Sequence, residues 1–154
     1  MRLISLNANG IRAAVNKGLA TWWEANGADI LCIQESRLQD KVWLQAAFPM
    51  HWVELFPAEK KGYAGVAVVA KIPPNHVKFG MDHPPSDAEG RVITLTYPDG
   101  VWVNAYFPSG ASSPSRQRAK LDFLSAMTQH LQGLLKQHAR VVLAGDVNIC
   151  HKDI

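Results

Sequence analysis

The sequence predicts a single α/β or α+β sandwich, and three observations lead to this class. An apolar strand, an amphipathic helix and a second apolar strand follow one another at the start of the chain, which is the order of a parallel βαβ unit. Further along, two apolar runs flank an Asp-Gly turn, which indicates an antiparallel hairpin. The chain has 154 residues, of which 47% are apolar, and this length is enough to form the buried core of one domain.

The predicted βαβ unit begins with a short buried strand from Leu3 to Leu6, which ends at the turn residues Asn9-Gly10. A helix follows, because apolar residues recur at the spacing of one helical face, and Asn26-Gly27 ends it. The residues of this face are Val15, Leu19, Trp22 and Trp23. Residues 29–34 contain a continuous apolar run, which predicts a strand buried on both faces.

The middle of the chain predicts shorter elements. They are a helix over 40–48, strands over 52–56 and 66–70, a polar and Pro-rich loop over 82–90, and antiparallel strands over 91–97 and 101–106. The longest helix is predicted to start with Ser113 as N-cap and Pro114 at its first position. Its apolar stripe consists of Leu121, Leu124, Leu131 and Leu135. A last buried strand over 140–144 delivers Gly145-Asp146-Val147-Asn148 at its carboxyl end.

Composition places weak limits on function. The formal charge of +3 permits nucleic acid as a partner without requiring it. Cys32 and Cys150 have no metal-binding spacing, and we expect free thiols in a reducing compartment. No apolar run approaches the roughly 20 residues that span a bilayer, and the N-terminus lacks a signal sequence, so we expect a cytoplasmic protein without membrane contact.

Three of the predicted strands end in polar side chains: Asn7, then Gln34 and Glu35, then Asp146 and Asn148. Open α/β sheets bind ligands at the carboxyl ends of their strands, so we expect these side chains to meet at one edge of the sheet. Carboxylate and amide oxygens suit Mg²⁺, and no Cys and His cluster suggests zinc.

These residue types fit phosphodiester hydrolysis, which requires a metal, a base and donors to the phosphoryl oxygens. Glu35 would hold the metal and Asp146 would act as the base or orient the water, while Asn7, Tyr106 and Asn148 could donate to phosphate. The pattern leaves simpler roles open. Asp and Asn after a strand are most often turn formers, and a buried tyrosine often bonds only to the backbone.

Six motifs, in this order, resemble those of the exonuclease III / AP-endonuclease family, within the endonuclease/exonuclease/phosphatase superfamily. They are Leu6-Asn7-Ala8-Asn9-Gly10-Ile11-Arg12-Ala13, Ala28-Asp29-Ile30-Leu31-Cys32-Ile33-Gln34-Glu35-Ser36-Arg37, Gly62-Tyr63-Ala64-Gly65-Val66, Glu89-Gly90-Arg91, Asn104-Ala105-Tyr106-Phe107-Pro108 and Gly145-Asp146-Val147-Asn148-Ile149. Together they cover essentially the whole chain.

The resemblance implies a four-layer α/β sandwich of the DNase I-like type, of which this chain supplies roughly the N-terminal half. It implies Mg²⁺-dependent cleavage, with Mn²⁺ as a substitute, of double-stranded DNA at abasic sites or 3′ ends in base-excision repair. Asn7, Glu35, Asp146 and Asn148 fall on metal-site positions, Tyr106 and Asp146 on catalytic positions, and Asn148 also on a phosphate-binding one.

Two arginines and one difference from the family's pattern also bear on the expected function. Arg116 and Arg118, at the start of the longest helix, could contact DNA phosphates or form only a solvated face. The family's final motif, which supplies an aspartate and a histidine, is not among these residues. The domain is therefore expected to be incomplete, with an uncovered sheet face that favours self-association or pairing with a C-terminal half.

Two alternatives to the DNA nuclease stay open at this point. One is a phosphatase or phosphodiesterase of the same fold that acts on phospholipids or inositol phosphates. The other is a catalytically impaired fragment that binds DNA or a complementing C-terminal half.

Overall fold

The computed structural model describes residues 1–149, which form two four-stranded sheets and five helices. The first sheet contains β1 (Leu3–Asn7), β2 (Ile30–Gln34), β3 (Trp52–Phe56) and β4 (Val66–Ala70), in the order β1-β2-β4-β3. The second sheet contains β5 (His76–Phe79), β6 (Val92–Tyr97), β7 (Gly100–Tyr106) and β8 (Val141–Asp146), in sequence order. The helices are α1 (Ile11–Asn16), α2 (Leu19–Asn26), α3 (Lys41–Ala47), α4 (Pro84–Asp87) and α5 (Pro114–Leu135).

The strand pairings confirm both sequence signatures of the fold. β1 and β2 are parallel, as a βαβ unit requires, and β6 and β7 form an antiparallel hairpin that closes at Tyr97 and Gly100. β7 and β8 are also parallel, with α5 as the crossover between them. Asn7 and Asp146 are therefore each delivered by a strand that points the same way as its neighbour.

Three separate hydrophobic cores show that the molecule has four layers. One core lies between α1 to α3 and the first sheet, one between the two sheets, and one between the second sheet and α5. The alternation of β2 makes this possible: Leu31 and Ile33 face the helices, while Ile30 and Cys32 face the second sheet. The predicted four-layer α/β sandwich is confirmed. The expected uncovered sheet face is wrong for the inner faces, because each sheet covers the other.

The first predicted helix is wrong as a single element. The chain forms α1 and α2 instead, because Lys17 ends the first helix and Gly18 takes a left-handed conformation with φ +97° before the second. This break changes the buried face. Trp23 is buried in the helix-side core, whereas Trp22 is 44% exposed.

The long helix α5 was predicted with the right start and partly the wrong face. The Ser113 hydroxyl accepts from the backbone N–H of Arg116 at 3.2 Å, as expected of an N-cap. However, Leu121 and Leu135 are exposed, and the buried residues are Phe123 and Met127. The leucine spacing follows a neighbouring helical face, and the larger aromatic side chain fills the space against the second sheet.

Other differences are local. The loop predicted over 82–90 contains the one-turn helix α4, and β5, which no pattern predicted, precedes it. β1 and β8 are half-buried rather than buried, because each has only one neighbouring strand among residues 1–149. Cys32 is buried as a free thiol, and Cys150 lies outside the described residues. None of the helices in the described part of the chain has the length and apolarity to cross a bilayer.

A pair of buried amides ties the two sheets together. The Gln34 side chain, at the end of β2, donates to the Asn104 side-chain oxygen of β7 at 2.7 Å. The Asn104 nitrogen in turn donates to the backbone oxygens of Ala67 at 2.9 Å and Ile33 at 3.3 Å. Buried amides are costly unless paired, so this pair fixes how the sheets are aligned at one end.

Candidate active site at the ends of both sheets

Three of the predicted site residues meet at the ends of β1, β2 and β8. The side-chain nitrogen of Asn7 donates to Asp146 at 2.7 Å and to Glu35 at 3.2 Å. The prediction that they share one sheet edge is wrong in one respect: Asp146 belongs to the second sheet and faces the other two across the interface. The layering of the sheets thus brings together residues that are 139 positions apart.

Glu35 occupies a strained and well-anchored turn. Its φ is +53° and that of Arg37 is +50°, values that residues other than glycine rarely adopt. Backbone hydrogen bonds hold the turn on both sides. The carbonyl oxygen of Glu35 accepts from the N–H of Gly10 at 2.8 Å, and the N–H of Arg37 donates to the carbonyl of Ala64 at 2.9 Å. Backbone strain of this kind clusters at functional sites, where the surroundings hold a side chain in one direction.

The charge of Glu35 is balanced by its neighbours. The Arg37 guanidinium donates to one of its oxygens through both Nε and a terminal nitrogen, while Asn7 donates to the other. Partial burial by itself would raise the pKa of Glu35, but the hydrogen bonds from Arg37 and Asn7 outweigh it and hold the pKa below the ordinary value. Glu35 is therefore ionised at neutral pH.

Gly145 sets the position of Asp146. Its φ is +153°, and a Cβ atom there would lie 1.8 Å from the carbonyl oxygen of Ala105 on β7. Only glycine permits this close approach of β8 to β7. One Asp146 oxygen accepts from Asn7, and the other accepts from the backbone N–H of Asn148 at 3.1 Å.

Tyr106, at the end of β7, lies between Glu35 and a buried arginine. The Arg91 guanidinium carbon is 4.8 Å from the centre of the Tyr106 ring, and one of its nitrogens donates to the Tyr106 carbonyl at 2.8 Å. Burial, followed by the negative charge of Glu35, raises the pKa of the Tyr106 hydroxyl to about 12. The hydroxyl is therefore protonated at neutral pH and can act as a hydrogen-bond donor.

The remaining predicted residues lie around this centre. Asn148, with φ +49°, contacts Asp146 through its backbone, while its side-chain nitrogen donates to the Phe107 carbonyl at 2.9 Å. Arg116 is held by Glu89 at 2.9 Å and by the Tyr63 hydroxyl at 2.9 Å. Arg118 is exposed on α5. The structure thus joins Asn148 to the centre, gives Arg116 a defined position at its side, and leaves Arg118 on the surface.

The donor set fits a hard divalent cation. Within residues 1–149, no group of three or more His, Cys, Asp or Glu side chains converges, so this centre contributes two carboxylates and amides. Mg²⁺ usually takes one or two protein carboxylates and keeps several waters, and two carboxylates that share one amide donor suit it. The Asn7 side-chain oxygen accepts from the N–H of Asn9 at 2.9 Å, so its role as a ligand stays a prediction.

Sequence reasoning missed several residues that support the site. Gln34, Asn104, Glu89 and Arg91 all lie in the quoted motifs, yet none was assigned a role. Polar residues inside otherwise apolar strands were the available signal. Arg91 in particular directly precedes β6 and is only 2% exposed, so its charge requires a partner.

The four-layer sandwich carries acidic and amide side chains at the strand ends of both sheets. Comparison with known proteins identifies the family. Residues 4–154 match the Endonuclease/Exonuclease/phosphatase family, and the chain belongs to it. The resemblance to its exonuclease III / AP-endonuclease members is confirmed by the relatives described next.

The chain is 35% identical over 157 aligned residues to an exodeoxyribonuclease of Bacillus subtilis and 32% identical over 163 to the DNA repair nuclease APEX1 of Danio rerio. All of this chain is aligned in both cases, but only 61% and 51% of those proteins. The chain therefore spans about half to three fifths of the length of these relatives.

Solved structures agree on the fold. The 3′ phosphatase NExo from Neisseria, bound to a product DNA hairpin, superposes with a TM-score of 0.87 at 27% identity, covering 99% of this chain and 60% of that one. An AP endonuclease from Archaeoglobus fulgidus superposes with a TM-score of 0.83 at 28% identity, covering 99% and 59%.

Proposed function

We propose that this chain carries the N-terminal part of the active site of a Mg²⁺-dependent DNA phosphodiesterase. The enzyme hydrolyses the phosphodiester bond 5′ to abasic sites or removes nucleotides from the 3′ ends of DNA. The observation that carries this proposal is the meeting of Glu35 and Asp146 on the Asn7 amide nitrogen. Base-excision repair is the process that such an activity serves. The names of the relatives support DNA as the substrate.

Each residue has a part in the proposed reaction. Asp146 accepts a proton from the attacking water or orients it, and Asn7 holds Asp146 in place. The protonated Tyr106 hydroxyl donates to a phosphoryl oxygen, where charge grows in the transition state. Asn148 lies next to Asp146 and contributes an amide to the same phosphate.

Mg²⁺, or Mn²⁺ in its place, would neutralise charge on the scissile phosphate and on the leaving oxygen. Glu35 would hold it with Asp146, and Asn7 and Asn148 are the amide candidates for the same site. Because its carboxylate is ionised at neutral pH, Glu35 requires no deprotonation to bind a cation.

The test is cleavage by the full-length protein of a labelled duplex that contains a stable abasic-site analogue, in the presence and absence of Mg²⁺. We expect a nick on the 5′ side of the analogue that depends on the metal and is abolished by EDTA. An intact duplex at high protein and Mg²⁺ concentrations would contradict the proposal.

A second candidate, removal of a 3′ phosphate, is favoured by the structural likeness to a 3′ phosphatase. A duplex with a 3′-phosphate end distinguishes the two activities in one assay, because release of inorganic phosphate leaves the strand length unchanged. A phosphoinositide in a parallel reaction tests the remaining phosphatase alternative. We expect no turnover of it.

We further propose that residues 1–154 by themselves bind DNA or a complementing C-terminal segment but cleave weakly. The relatives are longer than this chain, so further ligands to the phosphate have room outside these residues. Rapid Mg²⁺-dependent cleavage by the isolated 154 residues would refute this part alone.

A further inference from the structure

Glu89 connects two arginines beside the candidate site. One of its carboxylate oxygens accepts from Arg91 at 2.6 Å, and the other accepts from Arg116 at 2.9 Å. Arg91 stacks beneath the Tyr106 ring, whereas Arg116 also donates to the Tyr63 hydroxyl at 2.9 Å. A single carboxylate therefore links the tyrosine of the active site to a cation at its rim.

We propose that Glu89 is a positioning residue of this site: its carboxylate fixes Arg91 under Tyr106 and Arg116 against Tyr63. The inference rests on the proposed nuclease activity. Glu89 itself acts through the two arginines and does not contact the reacting atoms.

The burial of Arg91 makes a carboxylate partner necessary. Its side chain is 2% exposed, and a buried guanidinium without a counter-charge is strongly unfavourable. Its other hydrogen-bond partners, the Tyr106 carbonyl and the Tyr63 hydroxyl, are neutral. Glu89 supplies the charge, and although its own burial would raise its pKa, the bonds from Arg116 and Arg91 keep that pKa below the ordinary value.

The backbone around Glu89 is fixed as firmly as its side chain. Gly90 has φ +60°, and a Cβ atom there would lie 2.5 Å from the carbonyl carbon of Pro57. The N–H of Glu59 donates to the carbonyl of Ala88 at 2.8 Å. The segment before β6 is thus packed against the segment after β3, and the Glu89 carboxylate has little freedom to move. This rigidity is what a residue that aims two others requires.

Arg91 and Arg116 carry different tasks in this arrangement. Arg91 is buried and sets the orientation of the Tyr106 ring, which affects the chemical step. Arg116 is partly exposed and keeps donors for a DNA phosphate, which affects binding. Loss of Glu89 should therefore reduce both the cleavage rate and the DNA affinity, through separate arginines.

The experiment uses the complete natural chain, the abasic-analogue duplex and Mg²⁺. Single-turnover rate constants are measured at saturating enzyme, and the active fraction is measured by titration with DNA. We expect Glu89→Gln to lower the rate constant on the order of tenfold or more. A purely structural role would lower the active fraction and leave the rate constant of the folded molecules unchanged.

Two further variants keep the test decisive if Glu89→Gln folds poorly. Glu89→Asp keeps the charge but is too short to reach both arginines, so we expect a smaller loss of about threefold in the rate constant. Arg116→Gln should weaken DNA binding, because it removes the guanidinium that Glu89 holds. Adding it to the Glu89 variant should weaken binding little further, because the two residues act together.

Glu24→Gln on α2 is the matched control, since it makes the same chemical change on an exposed side chain of the first sheet's helix layer. A wild-type protein that cleaves no DNA would contradict the proposed function. A wild-type protein that cleaves, with Glu89→Gln and Glu89→Asp at the same rate constant, would overturn the role of Glu89 alone.

Discussion

Two regions of the molecule differ in a way that is instructive for locating function. On the outer face of the second sheet, a groove of about 680 Å³ between α5 and strands β5 and β6 is lined by four of the six histidines, His76, His83, His130 and His138. The strand ends that carry Glu35, Tyr106 and Asp146 do not line this groove. Within residues 1–149, however, it is the second region in which carboxylates from distant parts of the chain converge on one donor.

The comparison teaches that cavity size and the number of titratable groups are weaker signals than convergence. In the groove, Lys78 pairs with Asp82 and His83 with Ser86 within a few positions, and Thr94 pairs with His130 over 36 positions, but these are separate pairs. At the strand ends, residues from distant parts of the chain meet on one amide nitrogen. Convergence requires the whole fold, whereas local pairs require only neighbouring residues.

The largest expected difference between the regions is in catalysis. Asp146→Asn removes the proposed base, and we expect the single-turnover cleavage rate to fall on the order of 10³-fold. Asp122→Asn, the same change in the groove, should leave the rate within about twofold of wild type. Equal losses in both variants would remove the distinction between the two regions.

The next difference is in folding, and two glycines make it measurable. Gly145→Ala would place its Cβ 1.8 Å from the carbonyl oxygen of Ala105, so we expect a loss of about 3 kcal/mol in the free energy of unfolding. Gly133→Ala in α5 meets nothing within 4 Å and should instead stabilise the helix by about 0.5–1 kcal/mol. Urea denaturation at fixed pH measures both. A tolerated Gly145→Ala would mean that β8 does not require this close approach.

Two tyrosines with similarly raised pKa values separate catalysis from stability. Tyr106→Phe removes the proposed donor to phosphate, and we expect the cleavage rate to fall about 10- to 100-fold. Tyr97→Phe removes only a bond to the Ile72 carbonyl, so its cost should be about 1 kcal/mol of stability with no change in rate.

The pH dependence adds a second check on Tyr106. Its pKa of about 12 predicts no loss of rate from its deprotonation up to about pH 10. A loss between about pH 8 and pH 9 that disappears in Tyr106→Phe would contradict this protonation state.

The smallest expected effect belongs to the groove. Burial, with Lys78 nearby, lowers the pKa of His130, against the opposing charges of Asp82 and Asp87. The folded state therefore binds fewer protons than the unfolded state near pH 6, and stability should fall as the pH drops below the ordinary histidine pKa of about 6.5. We expect His130→Gln to flatten this dependence by an amount on the order of 0.5 kcal/mol. If the dependence of stability on pH is the same in His130→Gln, then the burial of His130 against Thr94 does not destabilise the folded state at low pH.

The sequence predicted most of the fold because local patterns coincide with the layers. The continuous apolar run of β2 requires burial on both faces, and the Asp-Gly turn requires a hairpin, and both are present. The prediction from sequence failed where tertiary packing determines which residues are buried. The break at Gly18 and the choice of Phe123 over Leu121 as the buried residue depend on the space left between the helix and the sheet.

The candidate site was predicted only as a set of residues, without its geometry. Periodicity cannot show that Asp146 reaches Asn7 from the opposite sheet, because that contact depends on how the sheets are stacked. The roles of Glu89 and Arg91 were also beyond reach. A glutamate and an arginine two positions apart most often form a solvated pair, and only the burial of Arg91 shows otherwise.

The amide pair of Gln34 and Asn104 has a consequence for how such a protein can diversify. Gln34 immediately precedes Glu35, and Asn104 lies two residues before Tyr106, so the pair fixes the spacing of the reacting groups from within the core. A slide of one sheet by one residue would shift that spacing by about 3.3 Å and break the amide pair first. Exposed residues such as Arg118 carry no such constraint. Substitutions there can therefore accumulate while the spacing of the candidate site stays fixed.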